Sequence, residues 1–247
     1  KSKAKYVNSP ESIIYSKSNV LFGLHFAKEK IIKEDLCYLV EGNMDAVMMS
    51  QCGVQNVVAT SGTALTVQQI NLIKRYTRNV TVLYDGDSAG IKATFKAVNL
   101  FLEQGLNVRT VLFPDGEDPD SSARSRTADE FKAFLSDNAR NFILYKTDIL
   151  VKQAGNDPIK RAEMIKDIVY TISLVPDLLE RSTYLQQCSN LLQVDEVVLS
   201  NALKKQLRQN SFDKAKKGQS QEENIETYLP TDQPVLPKQQ IDSVVAN

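Results

Sequence analysis

The chain has 247 residues, 42% hydrophobic and 24% charged, with 30 Lys and Arg against 30 Asp and Glu. That suffices for one well-cored domain plus something smaller, and the zero net charge gives no global hint of a nucleic-acid partner. No apolar run approaches the roughly 18 residues of a membrane span, and no N-terminal segment has the form of a signal peptide, so a soluble intracellular protein is expected.

The chain opens at Lys1 rather than Met, in a polar, basic stretch, and is expected to be a piece of something longer. Lys1, Lys3, Lys5 and Lys17 lie near Tyr6 and Tyr15. Such a mixture is compatible with phosphate and base contacts to a single strand, but composition alone reads it as a solvated terminal segment. Leu21 to Lys30 predicts a helix in which His25, between Phe22 and Phe26, has a surface or packing role.

From Leu36 to about Leu112 short Val-rich runs alternate with turns and amphipathic helical stretches, the signature of a parallel α/β sheet. The strand candidates are Leu36 to Val40, Asn56 to Ala59, Val80 to Tyr84 and Val108 to Phe113. Each is mostly apolar, as strands covered by helices on both faces must be. Thr66 to Gln69 matches a capping box ahead of Ile70, Ile73 and Tyr76, and Ile91, Phe95, Val98 and Leu102 fall on one helical face. The fold class is therefore α/β, a small, mainly parallel four-stranded sheet flanked by helices.

After Arg124 the periodicity is helical throughout, over Ala128 to Leu150, Pro158 to Ser173, Pro176 to Leu192 and Val194 to Leu207. Beyond Gln209 the composition turns polar, with Pro230, Pro234 and Pro237, and predicts a disordered linker. The organisation expected is a lead-in over residues 1–35, a sheet domain over 36–123, a helical module over 124–208 and a linker over 209–247. Cys37, Cys52 and Cys188 lack a second Cys or His at ligand spacing, so they support neither a zinc site nor a disulfide framework and read as thiols of a reducing compartment.

The chemistry is carried by three carboxylate clusters: Glu41 with Asp45, Asp85 with Asp87, and Asp118 with Asp120. Each follows a predicted strand, and in an open parallel sheet the carboxyl ends of the strands share one edge, where ligands bind. Like charges gathered there oppose one another unless a divalent cation intervenes. All-oxygen ligands favour Mg²⁺ or Mn²⁺ over zinc, and phosphoryl transfer is the chemistry that uses such sites most. A lone Asp-Gly-Asp is more often a turn and a helix cap, with Asp87 a sensible cap for a helix from Ser88. Three clusters at equivalent strand ends favour the site.

Glu41-Gly42-Asn43-Met44-Asp45, Asp85-Gly86-Asp87-Ser88-Ala89-Gly90 and Gly116-Glu117-Asp118-Pro119-Asp120 resemble the metal-binding motifs of a TOPRIM domain, in the wording of the DnaG-type bacterial primases. Ser61-Gly62-Thr63-Ala64-Leu65-Thr66 resembles that family's loop after the second strand, and Lys5-Tyr6-Val7-Asn8-Ser9-Pro10-Glu11 with Lys17 resembles its basic strip. The match covers roughly Lys5 to Asp120, with a looser helical continuation. It implies that residues 1–35 end the N-terminal part of a primase core and that 36–123 form the TOPRIM domain.

The resemblance further implies Glu41 as metal ligand or general acid/base, Asp85 and Asp87 as principal Mg²⁺ (or Mn²⁺) ligands, and Asp45, Asp118 and Asp120 as the rest of the acidic surface. Lys5, Asn8 and Lys17 would contact nucleotide phosphates or template. The implied reaction is template-directed synthesis of RNA primers from ribonucleoside triphosphates on single-stranded DNA, at the replication fork in the bacterial cytoplasm. A zinc-binding module and the first half of the polymerase domain would precede Lys1, and a module that binds the replicative helicase would follow the linker, both outside this chain. The chain alone is then expected to bind metal but to make primers poorly or not at all. Two positions depart from the family pattern: Asn43, where an aromatic residue is frequent, and Ser121, where a further acid often stands. The rival readings are another TOPRIM enzyme, a topoisomerase or nuclease, or a non-catalytic fragment; no tyrosine here can be nominated as a topoisomerase nucleophile.

Overall fold

The structure, a computed structural model, describes residue 12 and residues 16–62, 64–84, 95, 98–114 and 117–226. Lys5, Asn8, Asp85 and Asp87 lie outside these. The chain divides into two compact units, Lys1–Gln206 and Leu207–Asn247.

The first unit is built on a sheet of order β2-β1-β3-β4-β5, from β1 (Cys37–Val40), β2 (Val57–Ala59), β3 (Asn79–Tyr84), β4 (Asn107–Leu112) and β5 (Arg140–Asn141). The first four pair in parallel, and β5 joins the edge antiparallel through Arg109 with Asn141 and Thr110 with Arg140. The four Val-rich strands fall within a residue of their sequence-based limits. The fifth was unexpected: Arg and Asn carry no strand signal, and the sequence continued one helix from Ala128 to Leu150. Two helices stand there, with β5 between them.

Helices α1 (Leu24–Glu34), α2 (Asn43–Gln51) and α3 (Val67–Lys74) alternate with the first strands, and residues 98–103 are helical ahead of β4. After β4 come α4 (Pro119–Arg124), α5 (Ala128–Asn138), α6 (Phe142–Ala154), α7 (Pro158–Leu174), α8 (Leu178–Leu192) and α9 (Glu196–Glu226). Their starts are chemically marked. Asp118, Thr127, Asn141, Asp157 and Asp177 each accept backbone N–H bonds at an N-cap, and Pro119 and Pro158 occupy first-turn positions where no donor is missed. Composition alone ended the helical module near Gln209. In fact α9 reaches Glu226, because residues 209–226 are dominated by Lys, Gln, Glu and Ser with no proline before Pro230. Of the expected linker, residues 227–247 lie outside the described residues.

One apolar layer sets where the site can be. Val40, Leu83 and Val111 point from the sheet into a cluster with Ala46 and Met49 of α2, Ala123 of α4, and Phe131 and Leu135 of α5. Full burial of a side chain such as Phe131 or Leu135 contributes roughly 1.5–3 kcal/mol. The border drawn at residues 123 and 124 thus marks a change of texture, not a gap in packing, since α5 shares the core of the sheet. Leu39, Val80, Val82 and Val108 alternate to the opposite face and are buried as well.

Candidate metal-binding edge

Strands β1 and β3 run side by side with Leu39 level with Val82. Two residues on, Glu41 comes level with Tyr84, the last residue of β3, and Tyr84 in turn pairs with Leu112 of β4. Glu41 and the residue that follows Tyr84 in the chain, Asp85, are therefore attached to neighbouring strand ends. Asp85 and Asp87 themselves lie outside the described residues.

Glu41 is exposed, and its main chain is pinned by the loop after β2. Its carbonyl accepts from the Gly62 N–H at 3.2 Å and from the Thr60 hydroxyl at 3.5 Å, while the Val40 carbonyl accepts from the Thr60 N–H at 3.2 Å. Ser61 holds a left-handed φ of 61°, unusual without a glycine, and its hydroxyl donates to Asn43 Oδ1 at 2.8 Å. Asn43, the residue that departs from the family's frequent aromatic, thereby ties the loop to the first turn of α2. Sequence reasoning quoted the Ser61-Gly62-Thr63 loop but assigned it no part in placing Glu41; a left-handed serine leaves no signal in sequence.

The other acids have local structural partners. Asp45 Oδ2 accepts from the Gly42 N–H at 3.2 Å, closing the first turn of α2. A Cβ at residue 42 would lie 2.7 Å from that oxygen, so a larger residue there would make the Asp45 carboxylate shift. Asp118 caps α4: Oδ1 accepts from the Ser121 N–H at 2.6 Å and Ser121 Oγ from the Asp118 N–H at 2.9 Å. The hydrogen bonds from Ser121 hold the Asp118 carboxyl below the usual range. Ser121, where the family often has an acid, is thus the reciprocal half of a capping box. Asp120 pairs with Arg124 and Glu117 with Arg126, each at 3.0 Å, and the bond from Arg126 lowers the Glu117 pKa. The four-residue spacing of Asp120 and Arg124 was readable from sequence. Among the described residues no three of the His, Cys, Asp and Glu side chains gather closely enough to hold a metal ion.

Lys17 sits in a short 3-10 turn, Lys17–Asn19, half-buried. Gln69 Nε2 donates to the carbonyls of Lys17 and Val20 at 2.9 Å each, and the Thr66 hydroxyl to the Ser18 carbonyl at 2.6 Å. Thr66 and Gln69 form the capping box expected at the start of α3. Because α3 follows β2, its N-terminus belongs to the same sheet edge as Glu41, and these bonds fasten residues 17–20 there.

The comparisons agree with this architecture. Residues 38–123 match a family model described as Toprim-like, and residues 145–196 match one described as the DnaB-helicase binding domain of primase. The second match falls on the helical module, whereas the sequence reading placed a helicase-binding module beyond the linker; helical periodicity alone carries no mark of a partner. A DNA primase of Staphylococcus aureus (strain COL) is 35% identical over 199 residues, covering 81% of this chain and 33% of that protein. The chain thus spans about a third of the curated relatives it matches. A DNA primase domain from Pseudomonas aeruginosa superposes with TM-score 0.72 at 30% identity, covering 82% of this chain and 64% of that one. The DnaG primase catalytic domain bound to ssDNA superposes with TM-score 0.69 at 33% identity, over 77% and 62%. Among the described residues no helix is long and apolar enough to cross a membrane. With both halves matched in order along one chain, the protein belongs to the bacterial DnaG-type DNA primase family.

Proposed function

We propose that this chain supplies the metal-holding part of a DNA primase, which builds short RNA primers on single-stranded DNA at the replication fork by nucleotidyl transfer. The observation that carries the reading is Glu41, a carboxylate at the end of β1, level with the end of β3 and fixed through its main chain by the β2–α3 loop. Glu41, Asp85 and Asp87 are an all-oxygen donor set, which fits Mg²⁺ or Mn²⁺. Toprim primases generally use divalent metal ions. When bound, such ions neutralise charge and align the attacking and leaving oxygens of a phosphoryl transfer.

The reaction is attack of a primer 3′-hydroxyl on the α-phosphorus of a ribonucleoside triphosphate; a P–O bond forms to the primer and pyrophosphate leaves. In it Glu41, Asp85 and Asp87 hold the acidic centre, with Glu41 also able to take the hydroxyl proton. Asp45, Asp118 and Asp120 surround it with negative charge while each serves its own helix. Lys17, with Lys5 and Asn8, meets nucleotide phosphates or template, the role for which ordered attachment of residues 17–20 to α3 prepares it. The test is calorimetric titration of Mn²⁺ into the chain and into an Asp85→Ala, Asp87→Ala variant, followed by ribonucleoside triphosphate. Metal and then nucleotide binding is expected in the parent, with at least a tenfold loss of both in the variant. Equal binding by the two proteins would sink the assignment.

A second reading concerns residues 145–196. Their match to a helicase-binding model favours this helical segment as a contact for the replicative helicase. Leu178 and Leu179 open α8 with 68% and 76% exposure, apolar surface of the sort a partner covers. Interferometry against the purified helicase should show at least tenfold weaker binding for a Leu178→Glu, Leu179→Glu variant. Undiminished binding would move the contact elsewhere.

A further inference from the structure

The face of the sheet that is apolar at its C-terminal half becomes polar at the other. One cross-strand row runs Tyr38, Thr81, Arg109, Asn141 over β1, β3, β4 and β5. It lies two residues before the row of Val40, Leu83 and Val111, on the same side, where the apolar layer of α5 gives out at Asn138. Beyond that point the cover is partial: Thr81 is buried and Tyr38 half-buried, while Arg109 is exposed. A cavity of about 460 Å³ opens there, lined by this row and by Tyr184 of α8 and Glu34 at the end of α1. That is within the size range of small-molecule sites. It lies at the N-terminal ends of the strands, the edge opposite Glu41.

The donors around it are unbalanced. Arg109 is exposed, and among the described residues its guanidinium meets no carboxylate within ion-pair distance. The Tyr184 hydroxyl accepts from Asn141 Nδ2 at 2.9 Å, so its own proton is left to donate. Asn141 is itself held in place, since its Oδ1 accepts from the N–H groups of Ile143 and Leu144 at the start of α6. Tyr38 adds a second half-buried phenol. Burial raises the pKa of both phenols, Glu34 raises that of Tyr38 further and Glu180 that of Tyr184, and the charge of Arg109 pulls each of them down. Of the acids nearby, Asp35 is already spent on Thr77 at 2.7 Å and Asn79 at 3.0 Å, leaving Glu34 at the rim and Glu180 one turn from Tyr184 on α8.

We propose that this cavity is a second ligand site, distinct from the acidic edge, which takes the oxyanion of a small organic acid or phosphate ester. The guanidinium fork of Arg109 receives two of its oxygens and the hydroxyls of Tyr184 and Tyr38 the remainder. A guanidinium with two phenolic donors is a strong constellation for a planar or tetrahedral oxyanion, because its N–H and O–H groups match the oxygens of such a group. Single positive charge at the base and Glu34 at the rim favour one negative charge over two.

The experiment is a two-dimensional NMR titration of the full chain with sodium acetate and with sodium phosphate, each against sodium chloride at matched ionic strength. Saturable shifts are expected at Tyr38, Arg109, Asn141 and Tyr184, with half-saturation on the order of 10 mM for so small a probe. Arg109→Gln should weaken binding about tenfold, Arg109→Lys less, and Tyr184→Phe about threefold. The Arg109 variants change an exposed side chain and should melt as the parent does. Tighter acetate binding assigns the site to carboxylic acids, and tighter phosphate binding to phosphate esters. Shifts no larger than those from chloride, no saturation up to about 100 mM, or undiminished binding by Arg109→Gln would overturn the proposal.

Discussion

The sheet-bearing half and the helical half share a wall but treat charge in opposite ways. Along the edge where the strands end, Glu117, Asp118 and Asp120 stay at the rim, answered by Arg126, by the backbone of α4 and by Arg124. In the helical half a charge is taken inside. Lys146 of α6 is 2% exposed, its Nζ lying 2.8 Å from both Asp167 Oδ1 and Thr171 Oγ1 of α7 and 5.2 Å from the centre of the Phe95 ring. A rim carboxylate can exchange its partner for a ligand at little cost, because water attends both states. A buried ammonium is committed to one geometry. The difference teaches where to look for chemistry: the rim can be recruited, and the interior charge sets how α6 meets α7.

The largest test of that contrast is whether the two halves are one folding unit. Phe131→Ala empties a fully buried site between α5 and the sheet and should cost about 3–5 kcal/mol. Denaturant unfolding of the variant, followed by far-UV circular dichroism, should remain a single transition shifted to lower denaturant. A second transition, with the helices surviving the sheet, would show that the shared wall does not couple them.

The buried charge comes next. Asp167→Asn leaves Lys146 without its counter-ion, and since the Asp167 side chain is 44% exposed, the loss should fall below the 3–5 kcal/mol typical of a fully buried pair, at about 1–3 kcal/mol. Lys146→Met removes the charge and keeps the packing, so it should stay within about 1 kcal/mol of the parent. Burial lowers the Lys146 pKa from its ordinary 10.5, and the Asp167 carboxylate only partly restores it. In the window between that lowered value and 10.5 the unfolded chain holds a proton that the folded chain has lost, so stability contributed by this group rises with pH there. Parent and Lys146→Met melting curves across that alkaline window should therefore converge or cross in the parent's favour. Divergence against the parent would mean the pair stabilises the charged lysine more than burial penalises it.

Much of this organisation was legible, for identifiable reasons. Cys37–Val40, Val57–Ala59, Asn79–Tyr84 and Asn107–Leu112 each carry Val or Leu where helices cover the sheet, so their composition marks them. Thr66 with Gln69 is a capping box that can be read off four letters. Arg140–Asn141 could not be read, because its strand character comes from the register of β4 and not from its own side chains. Asn141 did carry a cap signal for α6, hidden inside an uninterrupted helical periodicity. At the acidic edge the strand-end placement of Glu41 followed from pattern. What pattern could not supply was the division of labour: Asp45 and Asp118 are also caps, and the anchoring of Glu41 depends on contacts between residues far apart in the chain.

Asp120 offers the finest test of that division, since the same carboxylate can be read as an ion-pair member or as part of the acidic surface. Its partner Arg124 is 58% exposed and one helical turn away, so the pair should contribute little to the fold. Arg124→Ala is expected to leave thermal unfolding unchanged, the smallest effect considered. It also deletes a positive charge that competes for Asp120, and Mn²⁺ binding should tighten about twofold at low ionic strength, with the gain fading as salt shortens the reach of the charge to a few ångströms. Calorimetric titrations of parent and variant at two salt concentrations read both quantities. A salt-sensitive gain places Asp120 within the field of the metal. Affinity unchanged at low salt leaves it an exposed ion pair and narrows the acidic centre to Glu41, Asp85 and Asp87.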